Sequence, residues 1–260
     1  MPMIDADGCM IHVTVEGHDG GPTLMLSNSL GATLQAWEPQ MAALTRQFRV
    51  VRYDRRGHGK SDVPPGPYSI GRLGRDALAV MDQLNLSRVH FCGMSMGGMI
   101  GQWLGAHAPE RIDRLILSNT ASYFPDPAVW NERIDAVREG RLGEIADRIM
   151  LNWFTADFRA REPALVARVR DMVASTPPQG YIGCCEAIRD MDHRDLLAQI
   201  IPPTLVIAGR HDPSTPLETA EFMRKHIPQA SLTIIDAAHL SNIEQPYAFT
   251  EIVTGFLTQR

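Results

Sequence analysis

Short apolar runs bounded by polar or glycine-containing segments recur along the chain at 11–15, 23–27, 49–53, 88–92, 114–117, 204–208 and 231–235. Their length and β-branched content predict buried strands. Between most of them the apolar positions repeat every three or four residues. The clearest case is 70–84, where Leu73, Ala77, Val80, Met81 and Leu84 share one helical face. The same period predicts helices at 97–107, 217–226 and, after Pro246, 247–257. Strand and helix therefore alternate. That alternation predicts an α/β fold with right-handed crossovers, a mostly parallel central sheet flanked by helices, and a ligand crevice at the carboxyl ends of the strands.

The alternation breaks between about 122 and 202. No strand pattern occurs there, but amphipathic stretches appear at 130–138, 145–153 and 164–173. Pro125, Pro127, Pro163, Pro177, Pro178, Pro202 and Pro203 bracket and divide the segment. The expected organisation is an α/β core made of 1–121 and 203–260, with a helical cap inserted at 122–202 over the strand ends. A chain of 260 residues fits one large domain carrying such an insertion. No internal repeat is visible.

Composition narrows the function classes. With 44% hydrophobic and 21% charged residues the chain reads as globular rather than disordered or fibrous. Lys and Arg number 25 against 30 Asp and Glu, a net charge of −5, with pI near 6.0. No global positive field exists to hold nucleic acid or an anionic membrane, so neither is an expected partner. Cys9, Cys92, Cys184 and Cys185 lack CxxC spacing, and the N-terminal segment MPMIDADGCMIHV lacks the basic and apolar regions of a signal peptide. Both features predict a reducing, cytoplasmic location. No run reaches the 18 or so apolar residues of a membrane span.

The sharpest chemical signal is Gly93-Met94-Ser95-Met96-Gly97, a G-x-S-x-G sequence between a strand pattern and a helix pattern. A serine in that turn is forced into a strained backbone conformation that presents its hydroxyl outward at a helix N-terminus, where unpaired N–H groups favour a developing oxyanion. A serine hydroxyl is a weak nucleophile and needs a base oriented by a carboxylate. Asp212 follows the strand run 204–208 and His239 follows 231–235. The order Ser, Asp, His, each past a strand's carboxyl end, is the one this architecture expects. Asp190, Asp192 and Asp195 compete as the acid but precede the strand that would have to present one. Oxyanion donors are expected at the N–H of Met96 and, from the loop Ser27-Asn28-Ser29-Leu30-Gly31, at that of Leu30. The polar stretch from Tyr53 to Ser61 is expected to order a loop. The histidines show no metal-ligand spacing and no GxGxxG follows a strand, so neither a metal nor a dinucleotide cofactor is expected.

Over essentially its whole length the sequence resembles the α/β-hydrolase superfamily, and within it the 3-oxoadipate enol-lactonases of the β-ketoadipate pathway. The stretches that carry the narrower resemblance are Ser27 to Gly31, Arg52 to Gly59, Gly66-Pro67-Tyr68-Ser69-Ile70, Gly101 to Gly105, Pro178-Gln179-Gly180-Tyr181 and Ala238 to Asn242. The resemblance implies Ser95 as nucleophile, Asp212 as orienting acid, His239 as base, and Leu30 and Met96 as oxyanion donors. It implies a cofactor-free cytoplasmic enzyme in bacterial degradation of protocatechuate or catechol, acting on a small carboxylated lactone. The substrate's charged arm calls for a local cation. Arg133 and Arg189 in the cap are the candidates, with Trp130 and Trp153 as walls of an apolar pocket. The alternatives are a carboxylesterase or carbon–carbon bond hydrolase of the same fold, or a ligand sensor that keeps the triad without turnover. Haloalkane dehalogenation is disfavoured, because the elbow holds serine and not aspartate.

Overall fold

The computed structural model describes residues 2–259. In chain order the elements of the first half are β1 (Met3–Asp5), β2 (Met10–Gly17), β3 (Thr23–Ser27), α1 (Glu38–Leu44), β4 (Arg49–Tyr53), α2 (Ile70–Gln83), β5 (Val89–Met94), α3 (Met96–His107) and β6 (Ile112–Ser118). Five α-helices follow before the next strand: α4 (Ala128–Arg138), α5 (Leu142–Trp153), α6 (Ala156–Arg161), α7 (Pro163–Ala174) and α8 (Pro178–Arg189). The chain closes with β7 (Thr204–Gly209), α9 (Leu217–His226), β8 (Ala230–Ile235), α10 (Ser241–Glu244) and α11 (Pro246–Leu257).

The strands form one sheet in the order β1-β2-β4-β3-β5-β6-β7-β8. The β1–β2 and β2–β4 pairs are antiparallel and every other pair is parallel. This is the expected α/β architecture. Its central strands read as mainly apolar runs because both faces are covered: every residue of β5 and of β7 is buried. Helix α2 starts at Ser69, whose hydroxyl accepts from the Arg72 N–H at 3.1 Å, and it buries the predicted face of Leu73, Ala77, Val80 and Met81.

Several elements lie outside the sequence reading. Strand β1 has three residues, too few to show a period. Helix α6 has six and is set by a local device, the Thr155 hydroxyl accepting from Phe158 N–H at 3.3 Å. Pro177 and Pro178, read from sequence as dividers, start helix α8, where a proline at the first position costs no hydrogen bond. Inside α8, a Cβ on Gly180 would lie 2.0 Å from the carbonyl oxygen of Gly57. The residue that weakens the helical signal is thus the one that lets α8 dock on the core.

Candidate active site

Strand register sets the site. Ser27 lies beside Gly93, Met94 beside Ser118, Ser118 beside Ile207, and Gly209 beside Ile235. The carboxyl ends of five strands therefore share one edge. Leu30, Ser95, Asn119, Asp212 and His239 stand just past those ends.

Ser95 joins β5 to α3 with φ 56° and ψ −117°, a conformation that costs a residue with a side chain about 1–3 kcal/mol. The surroundings hold it there. Its N–H donates to the Ser118 carbonyl at 2.8 Å, and its carbonyl accepts from Gly98 N–H at 2.8 Å and the Thr120 hydroxyl at 2.7 Å. A Cβ on Gly93 would come within 2.1 Å of the Gly97 oxygen, and one on Gly97 within 2.2 Å of the Ser27 oxygen. Only glycine at both positions lets the turn close.

Asp212 is buried and accepts five hydrogen bonds. Oδ1 takes the N–H groups of Ser214 (2.8 Å) and Thr215 (3.1 Å); Oδ2 takes His239 Nδ1 (2.7 Å), the Thr215 hydroxyl (2.6 Å) and Asn119 Nδ2 (3.0 Å). Burial pushes its pKa up, but the His239 ring and these donors prevail and leave it below the ordinary carboxylate value. An ionised Oδ2 requires the proton on His239 Nδ1, which leaves Nε2 with its lone pair free to act as a base. The His239 ring packs on Trp153 with centroids 5.9 Å apart. Ser95 and His239 line the same cavity. The Ser95 hydroxyl makes no hydrogen bond among the described residues.

The N–H groups of Leu30 and Met96 have no hydrogen-bond partner among the described residues, although both residues are buried. Leu30's loop is held from below by the polar stretch at 53–61. Arg55 donates to the carbonyls of Asn28 and of Ser29, and the Asp54 carboxylate accepts from Leu34 N–H at 2.8 Å. His58 Nε2 accepts from Gly31 N–H at 2.9 Å. Burial, reinforced by Arg55, keeps the His58 pKa far below the usual value, so the ring stays neutral and Nε2 remains an acceptor. The expected loop-ordering role of this stretch is what the structure shows.

The cavity holds about 350 Å³ and brings Leu30, Ser95 and His239 together with Trp130, Arg133, Trp153 and Tyr181. That size is near the lower end of small-molecule sites. Arg133 lies over the Trp130 ring at 4.8 Å from its centroid. Arg189 is not brought to the cavity: its guanidinium is engaged by Asp190 and Asn131. Asp192 is paired with Arg194 and does not approach His239. Among the described residues no three His, Cys, Asp or Glu side chains gather to hold a metal ion. No helix among them is long and apolar enough to cross a membrane. A larger hollow of about 880 Å³, between the Thr33–Pro39 region and α7, contains none of Ser95, Asp212 or His239.

Comparison with known proteins decides the family: its alpha/beta hydrolase fold model matches residues 22–246. The chain belongs to the α/β-hydrolase family. This hydrolase is 40% identical over 254 residues to 3-oxoadipate enol-lactonase 2 of Acinetobacter baylyi, covering 98% of this chain and 95% of that protein. Its identity to 3-oxoadipate enol-lactonase 1 of the same organism is also 40%, over 250 residues, 96% of this chain and 94% of that protein. The crystal structure of the enol-lactonase from Burkholderia xenovorans LB400 superposes with a TM-score of 0.97 at 42% identity, covering 99% of this chain and all of that one.

Three residues of this hydrolase's site received no role from the sequence. The Tyr181 hydroxyl is buried against the cavity, and no described group meets hydrogen-bond geometry with it. Burial raises its pKa against the pull of nearby Arg133, so it stays a neutral donor. Glu244 accepts from Ala238 N–H at 2.9 Å and from Thr155, tying the His239 loop to the chain between α5 and α6. Asn119 bridges Asp212 and the Ala238 carbonyl. All three depend on contacts between segments distant in sequence.

Proposed function

We propose that this hydrolase opens 3-oxoadipate enol-lactone to 3-oxoadipate through an acyl-enzyme on Ser95, with His239 as base and Asp212 as its orienting acid. The observation that carries the proposal is the composition of the cavity. It gathers an elbow serine, an imidazole whose Nδ1 is committed to a carboxylate, and an arginine. Ser95 Oγ attacks the lactone carbonyl as His239 Nε2 takes its proton, and the oxyanion is received by the unpaired N–H groups of Leu30 and Met96. The ring C–O bond then breaks. The departing enol oxygen takes the proton from His239 and tautomerises to the ketone. Water, deprotonated by His239, attacks the acyl carbon; Ser95 leaves with the proton and the dicarboxylate product is released. No step calls for a metal or organic cofactor.

The substrate's acetate arm must be paired when it leaves water. Arg133 and the donor hydroxyl of Tyr181 are suited to receive it, while Trp130 and Trp153 supply apolar walls. The segment 122–202 acts as a cap in this reading, since it contributes those four residues while the segments 1–121 and 203–260 contribute the triad. A cytoplasmic role in protocatechuate or catechol degradation accords with the enol-lactonase relatives. The test is ring opening followed by the loss of enol-lactone absorbance. Ser95→Ala should lower kcat by roughly 10³- to 10⁶-fold; undiminished turnover would refute the mechanism. A kcat/KM higher on simple esters or ring-cleavage dienones than on the enol-lactone would refute the substrate.

A further inference from the structure

Asn119 is the first residue past β6. It is buried and holds φ at 45°, a left-handed conformation that asparagine tolerates better than most residues but which still carries strain. Its backbone N–H donates to the Ile207 carbonyl at 2.8 Å. Its side chain uses its full hydrogen-bonding capacity. Nδ2 donates to Asp212 Oδ2 at 3.0 Å and to the carbonyl of Ala238, the residue before His239, at 3.2 Å. Oδ1 accepts from the hydroxyls of Ser118 at 3.0 Å and Ser241 at 2.7 Å. The orientation of the amide follows from chemistry: a carboxylate and a carbonyl can only accept, so the NH₂ group must face them.

We infer that Asn119 is a positioning residue for the reaction, a single amide that sets both the acid and the loop carrying the base. The inference rests on the Ser95–His239–Asp212 reading above. Two effects converge. One N–H occupies a lone pair of Oδ2 and so limits the directions in which that oxygen can receive His239 Nδ1. The other fixes the Ala238 carbonyl, and with it the point from which the His239 side chain starts. The neighbours of Asn119 extend the same anchor to the nucleophile, because the Ser118 carbonyl and the Thr120 hydroxyl bind the two backbone groups of Ser95. A strained buried asparagine at the end of a central strand is accounted for if relaxing it would release all three.

The test uses Asn119→Gly, which adopts the left-handed backbone without a side-chain clash and removes the amide. Lactone kcat is expected to fall roughly 10- to 100-fold with KM within about threefold, the loss typical of a slightly misplaced catalytic group. The acid limb of kcat/KM should move to higher pH, since Oδ2, relieved of one donor, holds the imidazolium more strongly. Ser241→Ala should lower kcat by less in the wild-type background and have no further effect in the Asn119→Gly background, because it acts only through the amide. Phosphonylation by an activated phosphonate reads Ser95 nucleophilicity whatever the substrate, and should slow with kcat. A wild-type protein that is phosphonylated but does not open the enol-lactone overturns the substrate assignment and leaves Asn119 testable. Wild-type phosphonylation rates in Asn119→Gly, an unmoved or downward-shifted acid limb, or additive losses in the double variant overturn the inference. A wild-type protein that is not phosphonylated overturns it together with the triad.

Discussion

Asp212→Asn changes almost no volume and reverses the polarity of one atom. All five partners of the native carboxylate are donors. If the new amide keeps its oxygen on the N–H groups of Ser214 and Thr215, its NH₂ faces His239 Nδ1, the Thr215 hydroxyl and Asn119 Nδ2. The hydroxyl can turn to accept. The histidine can accept only by moving its proton to Nε2, which removes the lone pair that serves Ser95. The Asn119 amide is left facing another donor. The wrong tautomer should lower kcat by roughly 10⁴-fold with little change in KM, the scale seen when an orienting aspartate becomes an amide. Losing charge-assisted hydrogen bonds while one buried donor is stranded should cost about 3 kcal/mol, a fall in Tm of roughly 6–12 °C for a chain of this size. The native carboxylate's lowered pKa also stabilises the fold above the unfolded value, and that contribution disappears as pH drops through the folded one. The variant should lack this dependence. Stopped-flow ring opening and calorimetry on the same preparation measure both effects. A folded Asp212→Asn enzyme with kcat within tenfold of wild type would show that the assigned tautomer is wrong.

Other consequences of the geometry can be measured separately. Arg133→Gln and Tyr181→Phe should each lower kcat/KM for a carboxylated lactone by roughly 10-fold or more, and leave neutral p-nitrophenyl esters within about threefold; equal losses on both substrates would show that neither residue reads the carboxylate. Gly97→Ala forces a methyl group to 2.2 Å from a backbone oxygen, so it should cost about 3 kcal/mol, and an unchanged denaturation midpoint would contradict the tight elbow. Burial, helped by His107, lowers the His193 pKa from 6.5 to about 4. The unfolded chain therefore takes up a proton there before the folded one does, and stability should fall by about 3 kcal/mol as pH drops from 6.5 to 4. Urea unfolding of His193→Gln should show a shallower fall over that window, and a slope identical to wild type would remove His193 as its source.

Periodicity and turn chemistry are local properties, and what depends on them was legible in the chain itself. The seven strand runs, the amphipathic face of α2, the elbow Gly93-Met94-Ser95-Met96-Gly97 and the order of Ser95, Asp212 and His239 all follow from spacing and residue type. Short elements were not legible: β1 is three residues long and α6 six, less than the window a period needs. Helix α8 was hidden by prolines and glycines whose purpose is seen only where Gly180 meets Gly57.

The site divides along the same line. A serine in a strained turn announces itself, because the glycines that permit the strain are its neighbours in sequence. The partners of a buried charge do not, since hydrogen bonds form across space between segments that folding alone brings together. Arg133 and Arg189 were equal candidates in sequence; packing turned one into the cavity and gave the other to Asp190. Tyr181, Glu244 and Asn119 acquire their meaning only from side chains far along the chain. The sequence alone determined the seven longer strands and the positions of Ser95, Asp212 and His239 just past three of them, whereas the tertiary structure decided which polar groups are left unpaired in the cavity, because only burial makes an unpaired group costly.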